Sequence, residues 1–272
     1  MKAKKILFIT QEIAPYVSTS QLATAGREIP QATQESGREI RTFMPRWGHI
    51  NERRNQLHEV IRLSGMNIII DDTDHPLIIK VASIQPARMQ VYFIDNDDYF
   101  HKRLMKDDDK GVEYADNTER AIFYARGVLE TVKKLRWTPD VIHCQGWMSA
   151  IVPLYIKHAY QDEPTFKDAK VVFSAFDEAP TATPADNVER AVCFRGANTK
   201  AISAKGIDLS KPESLSQLAI AFSDGFIQSG NNETLTAFAE AQGIPCITCP
   251  GDKTAVPAIT EFYDKITGSD EE

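Results

Sequence analysis

Along the chain, short runs of consecutive apolar residues alternate with longer stretches in which apolar side chains return every three or four positions. This is the pattern of a parallel sheet wrapped by helices. Residues 6–10 form a continuous run suited to a buried central strand, and residues 21–36 follow as a helix that stops at Gly37, with Pro30 breaking its middle. A strand over 41–44 comes next. Between 57 and 94 the texture changes: runs at 60–63, 67–70, 77–84 and 89–94 are separated by Ser-Gly, Asp-rich and Gln-Pro turns. That spacing predicts an antiparallel insertion of hairpins over 58–95. A long amphipathic helix is expected over 116–135, capped by Asp116 or Asn117, with Ile122, Phe123, Val128, Leu129 and Val132 near one stripe. The remaining alternation predicts strands at 141–144, 170–174, 200–203, 225–228 and 245–248, and helices at 147–158, 214–222, 233–241 and 255–266. The fold class is therefore α/β, a Rossmann-like three-layer domain with a mainly parallel sheet and a β-hairpin insertion. Residues 1–267 read as a single domain and 268–272 as a flexible acidic tail.

Charge narrows the partners. Among 272 residues, 38 are acidic and 31 basic, a net charge of -7. There is no broad positive field for nucleic acid or an anionic membrane surface, which leaves small molecules or proteins. No stretch approaches the roughly 18 apolar residues of a membrane span. The basic start leads into only four apolar residues before Thr10-Gln11-Glu12, which reads as a first strand rather than a leader. With four scattered cysteines, this predicts a cytoplasmic protein with reduced thiols. Cys246 and Cys249 have C-x-x-C spacing, but no second such pair or close His pair accompanies them. They sit in an expected strand, so buried thiols are expected and no metal site. No G-x-G-x-x-G follows the first strand and no P-loop occurs, so no cofactor is expected. The charge run at 106–111 reads as a solvated loop.

Several segments together resemble the N-terminal domain of bacterial glycogen synthases and plant starch synthases, glucosyltransferases of the two-domain GT-B architecture. They are Thr10-Gln11-Glu12-Ile13-Ala14-Pro15-Tyr16; Leu22-Ala23 with Gly26 and Ile29-Pro30; Met44-Pro45-Arg46-Trp47-Gly48; Tyr92-Phe93-Ile94-Asp95-Asn96 with Tyr99-Phe100; Tyr114-Ala115-Asp116-Asn117 with Glu119-Arg120; and Pro139-Asp140-Val141-Ile142-His143-Cys144 through Trp147, Ala150 and Pro153. The resemblance implies one half of a GT-B fold and a place in α-1,4-glucan synthesis from ADP-glucose.

The site motifs depart from that family. Its donor loop, K-T-G-G-L-A-D-V, uses glycines and a lysine to admit nucleotide phosphates at a helix N-terminus. Here the loop reads Ser18-Thr19-Ser20-Gln21-Leu22-Ala23-Thr24-Ala25: no lysine, neither glycine, and Thr24 in place of the acid. The family's H-C-H-D-W-H becomes His143-Cys144-Gln145-Gly146-Trp147-Met148, and its T-I-H-N becomes Ser174-Ala175-Phe176-Asp177. Gln145 can still bond a hydroxyl, but Gly146, Met148 and Phe176 cannot move a proton. In the family the second domain holds most nucleotide contacts, and the resemblance covers only the first. The expectation is a chain inactive alone, a pseudoenzyme for which ADP-glucose is disfavoured. It would act by completing a cleft with a protein partner that supplies a second GT-B domain, or as a non-catalytic module that binds α-glucan or malto-oligosaccharide or regulates a full-length synthase. Candidate glucan contacts are Asp95, Asn96, Tyr99, Asp116, Asn117, Arg120, His143 and Trp147. Each also has a structural reading: an Asx turn at Asp95 and Asn96, a helix cap at Asp116 and Asn117, core filling at His143 and Trp147.

Overall fold

The structure, a computed structural model, describes residues 4–17 and 20–268. The chain forms β1 (Lys5–Thr10), α1 (Gln21–Glu35), β2 (Glu39–Pro45), β3 (His58–Glu59), β4 (Met66–Ile70), β5 (Thr73–Ile84), β6 (Met89–Asp95), α2 (Asn117–Leu135) and β7 (Val141–Gln145). There follow α3 (Val152–His158), β8 (Lys170–Ala175), α4 (Val188–Ala191), α5 (Thr199–Ser203), α6 (Ser214–Ala221), β9 (Gly225–Gln228), α7 (Glu233–Ala241), β10 (Cys246–Thr248) and α8 (Val256–Ile266). The main sheet runs β10-β9-β8-β7-β1-β2-β6-β5-β3, with β4 pairing β5 off this path. From β10 to β6 every pairing is parallel, and β5 adds antiparallel to β6. The class expected from the apolar pattern is the one observed, a mixed α/β fold on a mostly parallel sheet.

The central strands read as unbroken apolar runs because both faces are covered. Helices α1 and α8 pack together on one side; α2, α3, α6 and α7 form a continuous row on the other. Ile6, Leu7, Phe8 and Ile9 of β1 are all fully buried.

Five local expectations change. β6 pairs in register with β2 as well as with β5, so it belongs to the parallel run, and the antiparallel extension proper is β3 to β5. The run at 60–63 is a turn, and the strand there is His58–Glu59 alone. Residues 200–203 are helical: the Asn198 side chain caps α5 by accepting from the Ala201 amide at 3.0 Å, so a cap overrides a four-residue apolar pattern too short to define a period. The helix expected over 147–158 divides into a 3-10 turn, Trp147–Ser149, and α3, which carries Pro153 in its first turn. Helix α1, expected to break at Pro30, runs through it without stopping, because Pro30 lies buried on the face that packs on the core. Among the described residues no helix is long and apolar enough to cross a membrane.

Candidate functional site

The chain passes from β1 outward to β2 and β6 and then returns to the other flank of β1 with β7. Strand order therefore reverses between β1 and β7. At such a switch point the loops after the strands diverge and leave a crevice at the carboxyl edge, where open α/β sheets hold ligands. A cavity of 500 Å³ lies there, lined by Gln11 and Glu12 after β1, Trp147 after β7, Asp177 and Glu178 after β8, Ser20 at the start of α1, and Leu104 to Asp108 with Gly111 from the loop before α2.

A compact polar network forms its floor. The Gln11 amide donates to Glu12 Oε1 at 2.9 Å and to Glu178 Oε2 at 3.4 Å, while its Oε1 accepts from the Met148 amide at 3.4 Å. Ser20 Oγ donates to Glu12 Oε2 in a short hydrogen bond and also caps α1 by accepting from the Ala23 amide at 2.8 Å. Burial and the adjacent Glu12 carboxylate push the Glu178 carboxyl up to about 7. Gly146, at φ +80°, is what makes room for this: a Cβ on it would sit 2.6 Å from Gln11 Oε1. Among the described residues five carboxylates, from Glu12, Asp107, Asp108, Asp177 and Glu178, line the cavity against the ammonium of Lys106.

The two rims are joined. The Glu113 carboxylate accepts from the Thr181 and Ala182 amides and the Thr181 hydroxyl at 2.7 to 3.0 Å, and pairs with Lys106 at 3.4 Å. Burial raises this carboxyl's pKa, but the three donated bonds and Lys106 outweigh it and hold the group below the usual range.

Of the residues singled out from sequence, Trp147 and Ser20 line the cavity. Gln145 and Met148 lie fully buried beneath it, and neither side-chain polar atom of Gln145 has a partner among the described residues. Phe176 and Gln21 meet at Gly251, and neither lines the cavity. Thr24 is exposed on α1, and Ser18 and Thr19 lie outside the described residues, as do 269–272 of the acidic tail. The other candidates are bonded inward. Asp95 pairs with Lys80 at 2.8 Å and Arg46 at 3.1 Å; Asn96 forms an Asx turn with the Asp98 and Tyr99 amides. Tyr99 joins His75 and Glu119, and Asp116 grips Arg103 bidentately. Arg120, fully buried, donates to the carbonyls of Tyr99, Leu104 and Met105 and to Asn117 Oδ1, at 2.7 to 3.0 Å. It is a positioning residue for the loop that carries one rim. His143 is hydrogen-bonded to Tyr263 and Ser174, each at 2.5 Å, and burial pushes its pKa down to about 3, which keeps it neutral. Glu178 was not singled out from sequence, nor were Gln11 and Glu12 as site residues, and the 106–111 loop that read as solvated surface lines the cavity with Lys106, Asp107, Asp108 and Gly111. Among the described residues no cluster fit to hold a metal ion is found.

The family model for the starch synthase catalytic domain matches residues 5–227. The chain belongs to the starch synthase catalytic domain family. Family relatives include the glycogen synthases of Chlorobium luteolum, 39% identical over 171 residues, and Chlorobaculum tepidum, 39% identical over 169; in both, the match takes in 62% of this chain and 35% of the relative. The chain thus spans about a third of the length of the curated relatives it matches. In structure it resembles the catalytic domain of starch synthase IV from Arabidopsis thaliana bound to ADP and acarbose, with a TM-score of 0.71 at 16% identity, over 91% of this chain and 51% of that one. The likeness places the fold as one Rossmann-like half of a GT-B synthase. The family match ends at residue 227, so it takes in the crevice at the switch point but stops at the last residue but one of β9.

Proposed function

We propose that this glycogen/starch synthase-like chain binds the end of an α-glucan in the switch-point cavity and rejects ADP-glucose, so that it recognises saccharide without transferring glucose. One observation carries the reading: the start of α1, the place where the family's glycine-rich loop meets phosphate, is taken up by Ser20 and the Glu12 carboxylate. A diphosphate there would face the cavity's carboxylates. At about 4 Å each like-charge contact costs roughly 4 kcal/mol at a protein-surface dielectric. Neutral hydroxyls meet no such cost, and the Gln11 amide and paired carboxylates offer both donors and acceptors for vicinal diols. Trp147, 3% exposed, adds the little aromatic surface that burial leaves open to the lining.

Calorimetric titration of the purified chain with maltoheptaose and, separately, ADP-glucose tests this. Saturable binding of the saccharide with none of the nucleotide sugar at millimolar concentration is the expected result, and Trp147→Ala should remove the saccharide signal while the thermal transition remains. Micromolar binding of ADP-glucose, or transfer of glucose to glycogen, would overturn the proposal. Silence toward both ligands would overturn it in favour of a protein partner.

A further inference from the structure

A second cavity, of 360 Å³, opens between the turn after β1, helix α1, the loop that follows β2 and the end of β5. Arg27 and Arg54 both line it, together with Tyr16, Asn55, Ser83 and Gln85, and among the described residues no carboxylate does. In a chain of net charge -7 this lining runs against the overall balance. Local structure sets both guanidinium groups up as donors. Arg27 Nε donates to Gln31 Oε1 at 2.8 Å, one turn along α1, which fixes the fork and leaves its terminal nitrogens unspent. Asn51 folds the turn that carries Arg54: its Oδ1 accepts from the Arg54 amide and its carbonyl from the Asn55 side chain, each at 2.9 Å. Neither guanidinium has a carboxylate partner among the described residues, whereas Arg46, Arg103 and Arg190 all do. Arg27 is half-buried, and burial lowers its pKa more than the neighbouring Tyr16 hydroxyl and Glu28 carboxylate raise it, so its charge is undercompensated. Tyr16 is 7% exposed, yet its hydroxyl has no hydrogen-bond partner among the described residues and is not sealed from solvent. The buried hydroxyls of Tyr124, Tyr155 and Tyr160, by contrast, donate to Thr10, Val192 and Glu130.

The chemistry of the lining decides the class. Two guanidinium forks without a counter-charge match an oxyanion that carries about two negative charges, which near neutral pH is a phosphate rather than a single carboxylate. The volume is at the small end of the range for small-molecule sites. The Tyr16 ring packs in a T against Phe93 at 4.9 Å and leaves no open face on which a nucleobase could stack. We propose that this cavity binds a phosphate dianion, free or carried as the ester of a small molecule, through Arg27 and Arg54 with the Tyr16 hydroxyl as a neutral donor. It stands apart from the α-glucan reading, since no residue lines both cavities and the two ligand classes differ in charge.

Thermal melts and calorimetric titration of the full chain with glycerol 3-phosphate, inorganic phosphate and glycerol provide the test. At low salt, glycerol 3-phosphate should bind saturably and raise Tm, and glycerol should do neither. Arg27→Gln and Arg54→Gln should each weaken that binding about tenfold, and so should Tyr16→Phe, which keeps the packed ring and loses only the hydroxyl. Arg53→Gln removes the same charge from an exposed arginine outside the cavity lining and should leave the affinity within about twofold of the parent. Tighter binding of glycerol 3-phosphate than of inorganic phosphate would support an ester as the occupant, and equal binding would support the free ion. Absence of heat and of any Tm rise with both anions at about 10 mM would overturn the site, as would an equal loss of affinity in Arg53→Gln, which would reduce the effect to general surface charge.

Discussion

Glu178 and Glu12 stand far apart in sequence and share one pocket of charge. The folded protein keeps the Glu178 proton to about pH 7, whereas the unfolded chain releases it near the ordinary carboxylate value. Between those limits the folded state binds more protons, so this group's contribution to stability falls as pH rises and is lowest above pH 7. Glu178→Gln should therefore match the parent at about pH 4.5 and exceed it at about pH 8. The gain should be about 1 kcal/mol after allowance for solvent screening of this half-exposed group, a rise in Tm of roughly 2 to 4 °C. Thermal melts at the two pH values check it; parallel curves for the two proteins would refute the pairing. None of this was legible in the sequence, where Glu178 follows an apolar strand without period or motif. His143 was half legible. Its place between Ile142 and Cys144 in a strand pointed to a buried structural role, but its partner Tyr263 sits on α8, which no local pattern connects to β7.

At the scale of elements, the loop between β6 and α2 depends on a single side chain reaching back from the helix. Arg120 gathers the carbonyls of Tyr99, Leu104 and Met105, and its guanidinium lies over the rings of Trp47, Phe100 and Tyr114 at 4.9 to 5.7 Å. Arg120→Met would strand those acceptors in the interior and should cost about 3 to 5 kcal/mol, a fall in Tm of roughly 6 to 20 °C by calorimetry. Arg120→Lys should recover less than half of that, because one ammonium cannot span three carbonyls set by a planar fork. Elements with strong periodicity, such as α2 and β1, were read correctly from sequence because burial alone decides them. The errors fell where a cap or a neighbour decides: Asn198 turned 200–203 into a helix, and pairing to β2 drew β6 into the parallel run.

Over the whole molecule, the net charge of -7 is unevenly spent, with five carboxylates brought to one crevice by three separate segments of chain. Composition disfavours phosphate-rich partners in general terms; the proposed reading applies the same bias to the crevice, where the carboxylates gather. The switch point could be anticipated from the order of strands, but the charge gathered there depends on loops that the apolar pattern does not fix. The clasp of Glu113 on Thr181 and Ala182 then bears on time rather than on affinity. On the proposed reading, a bridge between two rims, broken and remade without change in the floor, would set how quickly the saccharide exchanges. Glu113→Gln, with fewer charge-assisted bonds, should raise association and dissociation rates for maltoheptaose by a similar factor, about threefold to tenfold, and leave Kd nearly constant in stopped-flow measurements. A change in Kd alone would show that Glu113 touches the sugar. The crevice would otherwise behave as a slow-release holder, whose occupancy outlasts a fall in the free saccharide around it.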